Sequence, residues 1–291
     1  MNPTRLPSDG ATSTSHAPHP KSAITISLVP EAKGGPFVLW EELPKSVALA
    51  KELGFDAVEI FPPGPDAVPS ATVGRLVADH GLRVAAVGTG GGWVRHRWSL
   101  VDPSPAVRDS AMDFLRRILD VAASLGAPAI LGSMQGRSCA EVPPDQAKGW
   151  LRSALERLDA HAAAVGGGLL YEPLNRYETD QCNRLADGVA LIDGLSRTRL
   201  LADWFHMNIE EADMAASLVA AGRAVGHIHF ADTNRRAVGF GHLDLPPLAR
   251  GLREIAYDGY LSAEVFSLPD PRTAAEQTMR AYQQFIAWMR S

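Results

Sequence analysis

Cysteine is nearly absent from this 291-residue chain: only Cys139 and Cys182 occur, and no C-x-x-C spacing is present. Two thiols so placed cannot build the disulfide framework of a small secreted domain or a zinc ribbon, so a reducing, cytoplasmic compartment is expected. Each reads as a buried or loop thiol rather than a nucleophile. A basic excess is missing too, since 28 Lys and Arg stand against 33 Asp and Glu, for a formal net charge of -5. Tight binding to many phosphates needs a basic face, which excludes nucleic acid as the main partner. The first stretch, residues 1–21, has no apolar run long enough for a signal peptide or membrane anchor. Dense in Pro, Ser, Thr, His and Gly, it reads as a disordered tail, with His16 and His19 as solvated tail residues rather than a metal site.

What is present is the composition of a globular protein able to bury a substantial core, 46% hydrophobic and 21% charged. From Ala23 onward, short β-rich apolar runs alternate with longer segments of helical period, the signature of parallel βα units. Eight strands are predicted: Ala23–Leu28, Ala57–Phe61, Arg83–Gly88, Ala129–Gly132, Gly168–Glu172, Leu200–Asp203, Val225–Phe230 and Tyr260–Phe266. Helical periodicity is clearest over Met112–Leu125, Trp150–Val165 and Ala274–Trp288. Gly54, Gly81, Gly126 and Gly259 each follow a helical run, where a left-handed residue ends a helix cheaply. Asp102-Pro103-Ser104-Pro105 opens the long third helix, because Pro in a first helical turn sacrifices no hydrogen bond. No composition shift marks a second domain, so residues 22–291 are read as one domain. Periodicity alone leaves an open doubly wound sheet and a closed (β/α)8 TIM barrel both open.

The strand ends decide between them. Strands five to eight end in Leu-Leu-Tyr-Glu172, Leu-Leu-Ala-Asp203, His227-Ile-His229-Phe-Ala-Asp232 and Leu-Ser-Ala-Glu264. Any one such residue could be an ordinary strand-end ion pair. An acid or imidazole closing an apolar strand is costly to desolvate without a cation or partner, and here the feature recurs on four consecutive strands. In a closed barrel those four ends share one mouth, where barrel enzymes place their chemistry. Three carboxylates and one imidazole suit Mn2+, Mg2+ or Co2+, admit Zn2+, and disfavour metals that prefer thiolates. Either His227 or His229 can supply the imidazole, since i, i+2 spacing puts both on one face of the strand.

Taken together, Tyr171-Glu172-Pro173-Leu174-Asn175-Arg176-Tyr177-Glu178-Thr179, Asp203-Trp204-Phe205-His206, His227-Ile228-His229 through Arg235, and Glu264 resemble the xylose-isomerase-like barrels, the sugar phosphate isomerases and epimerases. Within them the likeness is greatest to ketose 3-epimerases and keto-sugar-acid epimerases, which share a turn like Gly88-Thr89-Gly90 and a loop like Gly132-Ser133-Met134-Gln135-Gly136-Arg137. The family's loop after strand seven keeps Gly239, Gly241 and Asp244 here but carries Val238 where a Pro is usual.

The resemblance implies an eight-stranded parallel TIM barrel in which Glu172, Asp203, His229 and Glu264 bind one divalent metal ion, with Mn2+ the first choice. It implies that Glu172 and Glu264 also move protons, that His206 and Arg235 contact substrate oxygens, and that His227 stands behind the site. It further implies a small-molecule sugar or sugar-acid substrate and a homo-oligomer, a dimer or tetramer. The chemistry would be proton abstraction next to an ion-polarised carbonyl, through an enediolate, with the proton returned to the other face in an epimerase or to the neighbouring carbon in an isomerase.

Lesser candidates carry plainer readings beside them. Arg137 is either an anion clamp or a surface ion pair, and Glu59 either faces the mouth or forms a structural ion pair. Trp93, Trp98, Trp204 and Phe240 either wall the sugar or belong to an ordinary core. Gly90-Gly91-Gly92 is no phosphate loop, lacking a Lys-Ser/Thr and a following helix start, and is assigned a tight turn that leaves room for substrate. A keto-cyclitol or dehydroshikimate-type dehydratase is the main alternative enzyme, with His206 and His242 as its candidate general acids. An abasic-site endonuclease is disfavoured because strands three and four end without histidine, and a non-catalytic sugar-binding or partner subunit because all four ligand candidates are present.

Overall fold

The computed structural model describes residues 19–40 and 42–291. Eight parallel strands close into a barrel in strict chain order, each bonded to the next and the last to the first. They are β1 (Lys21–Ser27), β2 (Ala57–Phe61), β3 (Arg83–Gly88), β4 (Ala129–Leu131), β5 (Leu169–Tyr171), β6 (Thr198–Asp203), β7 (Val225–His229) and β8 (Tyr260–Ala263). Around them run α1 (Leu43–Glu52), α2 (Ser70–Asp79), α3 (Gly91–His96), α4 (Pro105–Ser124), α5 (Pro144–Val165), α6 (Leu185–Ile192), α7 (Trp204–Glu210), α8 (Met214–Ala221), α9 (Leu245–Glu254) and α10 (Pro271–Arg290). The tail expected over residues 1–21 lies outside the described residues as far as residue 18, and β1 already begins at Lys21. Among the described residues no helix is long and apolar enough to cross a membrane.

All eight expected strands form, but several stop short at their C-terminal ends, because the chain leaves the ladder there and bonds to loops instead. Phe266 N–H, for example, donates to the Arg235 carbonyl at 2.8 Å. Pro105 stands at the first position of α4, as the Pro-rich opening predicts; a short α3 precedes it, so this helix is the fourth. Gly54, Gly81 and Gly126 take positive φ, whereas at the end of α9 the left-handed position is Ala256 (φ 51°). Gly259 instead sits against the Tyr257 ring, where an added Cβ would lie 2.5 Å from the hydroxyl.

The main apolar core lies between strands and helices, with Ile24, Ile26, Val58, Leu115, Ile118 and Phe285 all fully or nearly fully buried. Strand alternation sends the other set of side chains into the barrel. Low in the barrel these are small, Ala23, Ala57 and Ala85; above them come Ala86, Ile130, Leu170 and Leu201; polar groups occupy the top. The C-terminal mouth is thus the polar end of the barrel, and Glu59 and His227 form a buried polar pair beneath it.

The barrel is also tied to its helices by buried polar contacts. Asp159 of α5 accepts from Arg197 N–H and Thr198 Oγ1–H, each at 2.8 Å, and from Ser196 N–H at 3.1 Å, at the entry to β6. Burial opposes this charge, but the Thr198 hydroxyl and the two amides outweigh it and lower the pKa. An Asn here keeps one acceptor and turns a donor toward donors, so Asp159→Asn is expected to cost about 1–3 kcal/mol at pH 7 by urea denaturation. The folded carboxyl titrates below its unfolded value of about 3.9, so its stabilisation is complete above that pH and fades as pH falls through the lower folded value. The difference between the two proteins should therefore close in acid; a gap that stays constant at pH 3 contradicts this account.

Candidate active site

Consecutive parallel strands in a closed ring bring their C-terminal ends side by side, and β5 to β8 do this with chemically demanding side chains. Asp203 and His229 are the last residues of β6 and β7 and are direct register partners; Glu172 and Glu264 each follow their strands by one residue. His229 Nδ1 lies 3.3 Å from Glu172 Oε1, 3.3 Å from Asp203 Oδ2 and 3.4 Å from Glu264 Oε2. One donor atom from each of the four lies within 4.8 Å of every other, and all four residues are buried. The two histidines differ in depth: His229 joins the three mouth carboxylates, whereas His227 lies below them with Nε2 2.8 Å from Glu59 Oε2.

Bringing three carboxylates into one buried space strains their ionisation. Burial, reinforced by neighbouring carboxylates, raises the pKa of Glu172 and takes Glu264 to about 7. Asp203 stays low, because His206 and Arg235 outweigh its burial. At His229 burial opposes the charge, yet Glu264 and Glu59 overcome it and raise its pKa well above the ordinary value. Even so, Glu172 Oε1 is buried without a well-formed hydrogen bond. Such an oxygen, among hard and borderline donors, is what a divalent cation would satisfy.

His206, from the first turn of α7, lies beside this cluster with Nε2 3.6 Å from Asp203 Oδ2 and 3.2 Å from an Arg235 guanidinium nitrogen. Its Nδ1 accepts from Asn175 N–H at 3.2 Å, and burial depresses its pKa to about 3, so the ring is neutral. Arg235 caps the acids: its guanidinium bonds to Glu264 and to Asp203 Oδ2 (3.4 Å) and rests 4.7 Å from the Phe205 ring centroid. The loop carrying it is gathered by Asp232, whose carboxylate accepts from the amides of Thr233, Gly239, Gly241 and Leu243. Asp232 thus shapes the loop and stays out of the acidic cluster. An added Cβ at Gly241 would collide with that carboxylate, which explains the retained glycine.

A cavity of about 370 Å3 opens over these groups, with Glu172, His206, Arg235, Glu264 and Glu178 on its polar side and Phe37, Phe61 and Trp93 on its apolar side. Of the aromatic wall expected from sequence only Trp93 takes part. Trp98 packs on Phe114, Trp204 on Phe230 and Phe285, and Phe240 under Arg236. Arg137 is exposed and donates to the Tyr177 carbonyl at 3.1 Å, away from the cavity, and His242 is exposed beside Thr233.

The glycine run also differs from the expected open turn, because a helix does start there, at Gly91. Added Cβ atoms would lie 2.6 Å from the Pro62 carbonyl at Gly91 and 2.6 Å from Met134 Sδ at Gly92. Only Gly90 of the three lines the cavity, so the run chiefly permits close packing. Phe61 was legible by alternation, two residues beyond Glu59 on the same strand, and was missed; Phe37 sits in a loop with no periodic signal. Glu178 lay inside the recognised motif but had no assigned role. It accepts from Asn175 Nδ2 at 3.0 Å and faces Arg235 at 4.0 Å.

A closed barrel with four convergent ligand-type side chains at the ends of its last strands defines a class, and comparison agrees: residues 47–290 match the family model of the xylose isomerase-like TIM barrel. The chain belongs to that family. It is 32% identical over 253 residues to the 3-dehydro-D-guloside 4-epimerase of Escherichia coli (strain K12), covering 83% of this chain and 91% of that protein. It is 30% identical over 235 residues to the L-ribulose 3-epimerase of Methylomonas sp. (strain DH-1), covering 78% and 80% respectively. Among solved structures, the 3-keto-D-glucoside 4-epimerase of E. coli superposes with a TM-score of 0.73 at 26% identity, over 93% of this chain and 99% of that one. All three relatives are sugar epimerases, enzymes of the isomerase class.

The site leaves no space behind Glu172: a Cβ at Gly132 would lie 2.5 Å from its Oε2. Gly132→Ala should therefore displace that carboxylate; if Glu172 takes part in the chemistry, turnover should fall by about tenfold or more, since an ångström of misplacement can cost up to about 100-fold. Circular dichroism should show the barrel intact. Wild-type turnover in this variant would show that the Glu172 position is not constrained as described.

Proposed function

We propose that this protein is a divalent-metal-dependent epimerase of a keto-sugar or keto-sugar acid. One observation carries the reading: four buried donors at the barrel mouth, one of them a carboxylate oxygen without a well-formed hydrogen bond, in a chain similar over most of its length to sugar epimerases. Glu172, Asp203, His229 and Glu264 would hold the ion, and their burial and donor types fit it. When bound, a divalent ion supplies Lewis-acid polarisation of a substrate carbonyl and its adjacent hydroxyl.

The residues supply the rest. Glu172 and Glu264 directly follow β5 and β8, three strands apart around the ring, and would act from different sides of the cavity. One removes the proton from the carbon beside the carbonyl, and the other delivers a proton to the opposite face, inverting the centre. His206, held neutral, and Arg235 contact the substrate oxygens that gain negative charge as the enediolate forms. Phe37, Phe61 and Trp93 cover the apolar face of the sugar and keep water from the reacting carbon. Of the two candidate general acids for a dehydratase, His242 is exposed and outside the cavity while His206 lines it, so what favours epimerisation over dehydration is the similarity to sugar epimerases.

An NMR time course in D2O with ketoses, keto-sugar acids, keto-glycosides and their phosphates tests this directly. Deuterium should enter beside the carbonyl only with added Mn2+, with inversion at that carbon, and Glu264→Gln should slow the exchange by about 100-fold or more. Aldose formation would identify an isomerase instead and loss of water a dehydratase. Absence of exchange across the panel would contradict the proton-transfer reading.

A further inference from the structure

Beneath the site lies a buried carboxylate that the mechanism above does not use. Glu59, on β2, is completely buried inside the barrel. Its two oxygens are divided between two imidazoles: Oε2 lies 2.8 Å from His227 Nε2, and Oε1 lies 3.1 Å from His229 Nε2. His229 is therefore gripped at both ring nitrogens, by Glu59 below and by the three mouth carboxylates at Nδ1 above. The contact crosses the barrel, because β2 and β7 are not neighbours in the ring. Glu59, His227 and His229 also cluster closely enough to suggest a second cation site. However, the contacts among them are hydrogen-bond lengths, and Nε2 of each imidazole is already committed to a Glu59 oxygen.

We propose that Glu59 is a positioning residue that accepts Nε2–H from both histidines and thereby presents the Nδ1 lone pair of His229 to the cation site. This rests on the metal-dependent reading given under the proposed function. The physical reasons are two. An imidazole that donates from one nitrogen to a carboxylate is fixed in orientation and in tautomer, and its other nitrogen becomes the better ligand. A carboxylate also has an acceptor for each of two donors, so His227 completes the second oxygen of Glu59 and locks it in turn. Replacing the carboxylate by an amide removes the charge and leaves one acceptor and one donor facing two imidazole nitrogens.

The test compares wild type with Glu59→Gln, nearly the same in shape. Titration calorimetry with Mn2+ alone should show affinity weakened about 10–100-fold in the variant. Thermal unfolding and circular dichroism of the ion-free proteins check that the barrel persists. In 15N–1H NMR of the ion-free wild type, His227 should carry its proton on Nε2; with Mg2+ added, His229 should do so as well. In Glu59→Gln at least one of the two should change tautomer, a change that a merely packing role would not cause. Unaltered Mn2+ affinity in a folded variant overturns the proposal, as does an Nδ1-protonated His227 in the wild type. Wild type that binds no divalent ion would overturn the metal-dependent reading itself, whereas the His227 tautomer tests the Glu59 contact without any ion.

Discussion

Like charges at close range in a water-poor space set the terms for everything at the mouth of this barrel. Glu172, Asp203 and Glu264 converge on one imidazole, and their mutual repulsion, added to desolvation, is too large for all three to stay ionised unless positive charge is supplied. Arg235 provides part of it from above, and His229 part from within. Glu59 stands on the far side of His229, so that ring links the mouth to the barrel interior. The apolar layers below give the cluster no other route to solvent. The cavity side is thus where further positive charge, and the negative charge that develops on a substrate, must be accommodated.

The same constraint explains why the site was legible in the sequence. An acid or histidine at the end of an apolar strand is expensive, and its recurrence on four successive strands pointed both to closure of the sheet and to the four side chains that cluster at its mouth. Strand alternation placed His227 and His229 on one face but could not rank them. That ranking depends on depth in the barrel and on Glu59, more than 160 residues away in sequence.

Other features were illegible for physical reasons. A six-residue helix such as α3 is too short to show a period, so its glycines looked like a loop when they are close-packing positions. Phe37 reaches the cavity from a connecting segment, where side-chain direction follows no repeat. Arg235 was singled out as a substrate contact, but its grip on Asp203 and Glu264 appears only when β6, β8 and the loop after β7 are brought together. Ala256 occupies the left-handed position for which Gly259 had seemed the natural residue, because the glycine is needed three residues later beneath Tyr257.

Asp232 binds four amides of the segment that follows it, and this gives the Arg235 loop a shape of its own. These four bonds lie within residues 232–243 and involve no residue that lines the cavity. Residues 232–243 would therefore have to be exchanged as one cassette, and because Arg235 also bonds Asp203 and Glu264, such an exchange would retune the acidic cluster beneath as well as the surface offered to a substrate. Grafting Arg235 without the Asp232 knot and its glycines would transfer a charge without the geometry that aims it.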